Sequence, residues 1–276
     1  MNTEKIKEFE KKAKVIRKHI VEMIGCAASG HPGGSLSAAD IITILYFYKM
    51  KYDPKNPAMP DRDRFVLSKG HAAPGLYAAL AEAGFFPKSY LKTLRQIGSS
   101  LQGHPDMLSL PGIEMSTGSL GQGLSAANGM ALAARLDGLK YKVYCLIGDG
   151  ESQSGQIWEA AMTASHFKID NLIAILDHNK LQIDGSLNEI KALHPVVDKW
   201  KSFGWNVIEI DGHNISSIIK AFDQADHTNG KPTIIIADTV KGKGVSFMEG
   251  NIAFHGKAPN KDELSKALSE IGHCNE

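Results

Sequence analysis

The sequence predicts an α/β fold, a doubly wound and mainly parallel sheet with helices on both faces. Two observations carry that reading. In the second half, short apolar runs (KVYCLIG, NLIAILDHN, WNVIEIDG, KPTIIIADTV) alternate with amphipathic segments of helical length (GQIWEAAMTASHF, VVDKWKSFG, SSIIKAFDQAD). The runs are also apolar almost without interruption, as strands covered on both faces must be, and parallel neighbours need such helical crossovers.

The remaining elements follow in chain order. Residues 3–25 place Ile6, Phe9, Ala13, Ile16, Ile20 and Ile24 at helical spacing, so the chain opens on an amphipathic helix. SGHPGG breaks it, because Pro and paired Gly end helices. LSAADIITILYFYKM reads as a largely buried helix capped by Ser37. YDPKNPAMPDRDR is a loop and RFVLS a short strand. SKGHAAPGLYAALAEAG is a Gly-rich turn entering an Ala-rich helix that stops at Gly84, and SLGQGLSAANGMALAARLDG is a second small-residue helix stopping at Gly138. No repeat, low-complexity tract or linker interrupts the chain, so residues 1–276 are read as one domain.

Composition removes several function classes. Net charge is +1 and evenly spread, which gives no footprint for nucleic acid. The charged N-terminus lacks the apolar stretch of a signal peptide, and no run approaches the roughly 20 apolar residues of a membrane span. Cys26, Cys145 and Cys274 are too few and too scattered for a disulfide frame or zinc site, which points to a reducing, cytoplasmic setting.

The chemistry starts in IGDGESQSGQIWEAAM. Asp149 follows a parallel strand at its carboxyl end, where open α/β sheets bind ligands. Gly148 and Gly150 would let the backbone approach a ligand and take positive φ. Amides near a helix start attract phosphate, which a carboxylate would repel unless a cation lay between them. Asp149 therefore points to a hard divalent metal bridging the protein to a phosphorylated cofactor. Asn179 in NLIAILDHNK stands 30 positions on, one strand–helix–strand crossover away, which would set it beside Asp149. Carboxylate, amide and carbonyl oxygens with diphosphate oxygens and a water would complete an octahedral magnesium shell. A lone GDG is more often just a tight turn; the spacing to Asn179 reverses those odds. The GDG…N pair resembles the thiamine-diphosphate and metal motif. That resemblance implies that Asp149 and Asn179 bind the metal by their side chains and Leu181 by its carbonyl.

Four histidines, His31, His71, His104 and His255, each sit in a turn or loop beside Gly or Pro. Singly, each would more often be structural; gathered at a cofactor, they could move protons or bind sugar hydroxyls. His19, His166, His178, His194, His213, His227 and His273 lack that setting and are read as structural or exposed. The phrases SGHPGGSLSAADI, SKGHAAP, LQGHPD, GSLGQGLS and MEGNIAFHGKAPN, in this order over residues 25–260, closely resemble transketolase. The resemblance implies thiamine diphosphate with Mg2+ or Ca2+, and transfer of a two-carbon ketol unit between sugar phosphates, as in the pentose phosphate pathway. It also implies that Gly118 and Leu120 contact the aminopyrimidine and that Ile183 packs on the thiazolium. His71 and His255 would reach the diphosphate, His255 and His31 would assist proton transfer, and His104 would bind donor hydroxyls. Lys241, in VKGKG, matches a lysine near the cofactor in some relatives and is equally readable as a surface residue.

Complete transketolases are more than twice this length. The stretch seen here resembles only their pyrophosphate-binding domain, without the pyrimidine-binding domain that carries an essential glutamate and several sugar-phosphate arginines. The resemblance thus implies a split enzyme with a C-terminal partner chain, expected as a two-plus-two heterotetramer. The small-residue surface of 73–84 and 118–138 is readable either as interface or as tight internal packing. Alternatives are a component of another thiamine-diphosphate enzyme, a split transketolase for an unusual sugar phosphate, or a cofactor-binding regulatory subunit. One departure stands out. Ser154 occupies a position where relatives commonly carry a glutamate, while Glu159 matches a second family carboxylate. Glu151 is readable as a partial substitute for that glutamate, but the expectation is that it faces solvent at a helix start, where the dipole favours it.

Overall fold

The computed structural model describes residues 2–272; His273 and Cys274 lie outside them. The strands are β1 (Arg64–Leu67), β2 (Val143–Gly148), β3 (Leu172–His178), β4 (Leu181–Gln182), β5 (Gly185–Ser186), β6 (Asn206–Asp211) and β7 (Thr233–Asp238). The helices are α1 (Thr3–Ala27), α2 (Pro32–Ser37), α3 (Ala39–Ile44), α4 (Ala73–Ala83), α5 (Gln122–Leu136), α6 (Gly155–His166), α7 (Leu187–Ile190), α8 (Val196–Ser202), α9 (Ile215–Asp226) and α10 (Lys261–Ile271). Five strands form one parallel sheet in the order β1-β2-β3-β7-β6, and β4 and β5 make a separate antiparallel hairpin.

The alternation of side chains along the strands divides the core into two layers. Tyr144, Leu146, Ile173, Ile175 and Ile235 pack towards α1, α3, α4 and α9, while Cys145, Ile147, Ala174, Leu176, Ile234 and Ile236 pack towards α5, α6 and α8. Burial on both faces explains why the central runs carry no polar alternation until their carboxyl ends. The edge strand β6 differs: Glu209 and Asp211 are exposed, and charge on an edge discourages pairing with another sheet.

Several sequence expectations are corrected here. SGHPGG does not only break a helix. Pro32 occupies the first turn of α2, where its missing N–H costs nothing. Ser37 is the last residue of that helix and caps nothing; its hydroxyl donates to Gly34 O at 3.2 Å and to Asp177 Oδ2 at 2.6 Å. Beyond α3, residues Leu45–Lys49 form a π-helical turn. α5 starts at Gln122, after Gly121 at φ +92°, rather than at Ser119. Helix α4 is buried from Ala73 to Ala81, so its small residues serve internal packing rather than a subunit surface. α10 is absent from the sequence-based elements, although Asn260 and Glu263 form a capping box that the sequence displays. It lies against α1 so closely that a side chain at Gly25 would meet Leu264 at 2.7 Å.

Candidate active site

The register of β2 on β3 pairs Gly148 with Asp177, so the residues following both strands emerge side by side. Asp149 is 2% exposed. Its Oδ1 accepts from Gly150 N at 2.8 Å and its Oδ2 from Lys180 N at 2.5 Å. Lys180 takes φ +67°, a left-handed conformation that costs a non-glycine residue energy and lets its N–H face the carboxylate. Asn179 donates through Nδ2 to Asp177 Oδ2 at 3.3 Å. That bond fixes the amide so that Oδ1 turns away from Asp177, where Leu181 N donates to it at 3.2 Å.

Gly148 and Gly150 do not have positive φ. Gly150 is at φ −60°, and the expectation fails because the chain enters a 3-10 turn over Glu151–Gln153 rather than a tight glycine turn. Gly150 is instead required by close approach: a Cβ there would lie 2.9 Å from Gln182 Cβ on the hairpin. The same turn overturns the expectation for Glu151. It is 3% exposed and points inward, accepting from Ser68 Oγ at 2.5 Å, Gly121 N at 2.8 Å and Gly148 N at 2.9 Å. Burial pushes its carboxyl up, against these donors and Lys69.

The histidines come from four separate segments and meet. His31 lies 5.4 Å from His71, 6.0 Å from His104 and 5.7 Å from His255 between ring centroids, and His71 stacks on His255 at 5.1 Å. Burial, then nearby cations, hold them neutral. His31 is pushed down to about 4 by burial, Arg95, His104 and Lys241, and His255 to about 3 by burial, Lys241, His31 and Lys69. Burial and Lys69 push His71 well below the usual range, and burial and Arg95 lower His104. Lys241 is no surface residue: it is 3% exposed, its Nζ lies 2.8 Å from His255 Nδ1, and burial with Lys69 nearby lowers it to about 8.

One cavity of about 420 Å³ joins these groups. Its lining includes His31, His71, His104, Gly118, Leu120, Gly148, Asp149, Gly150, Asn179, Leu181, Ile183, Lys241 and His255, every candidate named from the sequence. It also includes Gly34, Lys69 and Glu151, which sequence reasoning missed. Lys69 is 1% exposed; it donates to Gly34 O at 2.9 Å and to Asp177, which is fully buried and also held by Ser37 and Thr239. A carboxylate inside an otherwise apolar strand was the signal for Asp177, since buried charges require partners. An adjoining basin of about 850 Å³ includes Ser29, Arg95, Ser99 and Gln102 in its lining and shares His104.

The donor set fits a diphosphate held through a hard cation. Asp149 offers a buried carboxylate that accepts two backbone N–H groups, and Asn179 an amide oxygen that accepts from Leu181 N. Among the described residues no three His, Cys, Asp or Glu gather as a metal cluster. Gly34 leaves room beside His71 and Lys69, where a Cβ would sit 3.3 Å from His71 Nε2 and 3.4 Å from Lys69 Nζ. The other histidines are mostly structural. His19 lies 2.9 Å from Glu82, and His213 bridges Asp40 and Val240 N at 2.8 Å each. His178 is buried with Nδ1 unpaired, 3.5 Å from Asp149 Oδ2.

Fold and cavity together define a thiamine-diphosphate-binding domain of the transketolase kind. The family model described as "Transketolase, thiamine diphosphate binding domain" matches residues 9–276, and the chain belongs to that family. It is 52% identical over 264 residues to a 6-deoxy-6-sulfo-D-fructose transketolase subunit of Clostridium sp. (strain MSTE9), covering 96% of each chain. It is 44% identical over 266 residues to an apulose-4-phosphate transketolase subunit of Phocaeicola vulgatus, covering 96% of this chain and 94% of that one. The transketolase of Campylobacter jejuni, of known structure, superposes with a TM-score of 0.92 at 36% identity. That match covers 100% of this chain and 44% of the other, so the chain spans less than half the length of the solved transketolase.

Proposed function

We propose that the chain is the cofactor-holding subunit of a two-subunit transketolase for a sugar phosphate or a similarly anionic sugar. The observation that carries this reading is the single cavity onto which all the motif residues converge. Thiamine diphosphate, when bound, supplies the carbon nucleophile for moving a two-carbon unit, and the chain's residues bind and orient. Asp149 and Asn179, with the carbonyl of Leu181, would hold Mg2+ or Ca2+ against the diphosphate. Lys241 and His71 would neutralise and position its oxygens. Leu120, 43% exposed, and Ile183, 59% exposed, are apolar groups at the cavity that a cofactor ring would cover. His31, His104 and His255 would face the sugar, with the Arg95 basin beside them open to an anionic tail.

The carboxylate that activates the aminopyrimidine would come from a C-terminal partner, in a two-plus-two assembly in the cytoplasm. Among the described residues no helix is long and apolar enough to cross a membrane. The similarity to subunits named for sulfofructose and apulose phosphate favours an unusual sugar over the standard pentose phosphates. Purified chain with thiamine diphosphate and Mg2+ is expected to show little ketol transfer from xylulose 5-phosphate, 6-deoxy-6-sulfofructose or apulose 4-phosphate. Adding the C-terminal subunit should produce transfer from at least one. Full activity without a partner would refute the split-enzyme reading, and pyruvate as sole donor would point to another thiamine-diphosphate enzyme.

A further inference from the structure

The chain brings a cationic donor to the same ring atom of two histidines. Arg95 Nη2 lies 3.3 Å from His31 Nδ1, and Lys241 Nζ lies 2.8 Å from His255 Nδ1. A guanidinium has only donors, and so has an ammonium. Each Nδ1 must therefore accept, and a neutral imidazole that accepts at Nδ1 carries its proton on Nε2. Neither Nε2 has a hydrogen-bond partner among the described residues, and both rings line the cavity.

We propose that Arg95 and Lys241 are positioning residues that lock neutral His31 and His255 in the Nε2–H tautomer, so that both rings offer N–H donors to the cavity. The use of that lock rests on the transketolase reading; the lock itself does not. It changes what the two rings can do. A ring whose Nδ1 is tied to a cation and whose Nε2 already holds a proton has no free lone pair. It could take up a proton only by becoming a cation beside Arg95 or Lys241, which burial and those charges oppose. The pair would act as preorganised donors to a sugar carbonyl or hydroxyl oxygen, stabilising negative charge as it develops there. Base work falls to other groups.

The two locks differ in one respect. Arginine stays charged at any working pH, whereas Lys241 is brought down to about 8. A neutral amine can accept, so above that pH Lys241 ceases to dictate the His255 tautomer. The charged and titratable groups facing Lys241, the group that titrates and that burial lowers most, are Lys69, which lowers it further, Asp149 and Asp177, which raise it, and His255; those facing His255 are Lys241, Lys69, His31 and His71, and those facing His31 are Arg95, Lys241, His71, His104 and His255.

The test is 15N NMR of the full chain labelled at histidine, with the two rings assigned through His31→Asn and His255→Asn. At pH 7 both rings should show a pyridine-type Nδ1 and a pyrrole-type Nε2. Arg95→Met should turn His31 into a tautomer mixture while His255 keeps its signals, and Arg95→Lys should restore the single tautomer. Lys241→Met should do the converse. Raising the wild type from pH 7 to about 9.5 should release His255 alone. A pyridine-type Nε2 in either wild-type ring at pH 7 would overturn the proposal. So would an unchanged His31 in a folded Arg95→Met, or a His255 indifferent both to Lys241→Met and to pH. The wild-type spectra decide even if a variant fails to fold. Because they need no turnover, an inactive reconstituted enzyme with locked rings would refute the function and leave the lock standing.

Discussion

The cavity has two walls of different construction. One is made by the carboxyl ends of β2 and β3 with the β4–β5 hairpin, and presents Asp149, Asn179, Glu151 and backbone amides. The other is made by loops around α2, α4 and the segment after β7, and presents four neutral histidines with Arg95 and Lys241 close by. Carboxylates, an amide and backbone N–H groups stand on the sheet side, cations and neutral imidazoles on the loop side. The walls meet at Asp177. It sits in β3 yet is held by Ser37 of α2, Lys69 of the β1–α4 turn and Thr239 after β7.

Breaking that joint should have the largest effect. Asp177→Ala leaves Lys69 buried without its carboxylate, and removing one partner of a buried pair costs about 3–5 kcal/mol. Denaturant unfolding should show a loss of that size; a loss under about 1 kcal/mol would mean that the walls hold together without it. The pH dependence has a definite sign. Burial opposes ionisation of Asp177, but Lys69 and the hydroxyls outweigh it and hold its carboxyl below the usual range. Its contribution is thus present above the ordinary carboxylate value and is lost as pH falls through the depressed one. Glu151 runs the other way. Burial raises its carboxyl, so it favours the fold most at low pH and loses that contribution as pH rises through the raised value.

The second test takes the sheet wall alone. Asp149→Ala should weaken joint binding of thiamine diphosphate and Mg2+ by more than the about 10–100-fold typical of an outer ligand partner, with the cooperative unfolding transition retained. Calorimetry of the chain with both ligands reads it. Unchanged affinity would remove Asp149 from the metal site and leave the loop wall as the main anchor.

The loop wall should speak through pH. His31 and His255 fall from an ordinary 6.5 to about 4 and about 3 on folding. Between those values the unfolded chain binds more protons, so stability is present above 6.5 and declines on acidification towards 4. The double variant His31→Asn/His255→Asn should flatten that part of the stability profile. An identical slope in the variant would show that these rings do not titrate as their surroundings imply.

The two walls also differed in how legible they were. β2, β3 and β7 announce themselves by uninterrupted apolar runs, and their ends fall at predictable places, so Asp149 and Asn179 could be paired by crossover spacing. Nothing periodic brings residues 31, 71, 104 and 255 together; their convergence depends on how loops fold over the sheet, and only the resemblance to transketolase linked them. Glu151 was misread for a physical reason. The rule that acids at a helix start face solvent assumes the helix starts at once, whereas a 3-10 turn intervenes and swings the side chain to Gly121 and Ser68. Lys69 and Asp177 went unnoticed because a charge in an apolar setting is interpretable only once its partner is known. α10 was legible through its capping box and was overlooked.

The smallest expected effect concerns Ser154, where the resemblance to transketolase implies a glutamate. Ser154 stands between the 3-10 turn and α6, and a Cβ at Gly121 would meet its hydroxyl at 2.7 Å, so it faces the start of α5 rather than the cavity. It makes no capping bond to α6. Ser154 is half-buried at the start of α6, a little over one helical turn before the exposed Glu159. That resemblance implies a carboxylate network linking two cofactor sites, in which a carboxylate can share a proton and a serine hydroxyl cannot. Ser154→Glu should leave the intrinsic cofactor affinity within about twofold, because Ser154 itself does not line the cavity, and alter the cooperativity of cofactor binding only in the complete assembly. Superimposable binding curves for the assembled wild type and variant would mean that this position does not couple the sites. A change already present in the isolated chain, were it monomeric, would place the effect within the sheet wall itself, through Gly121 and its bond to Glu151.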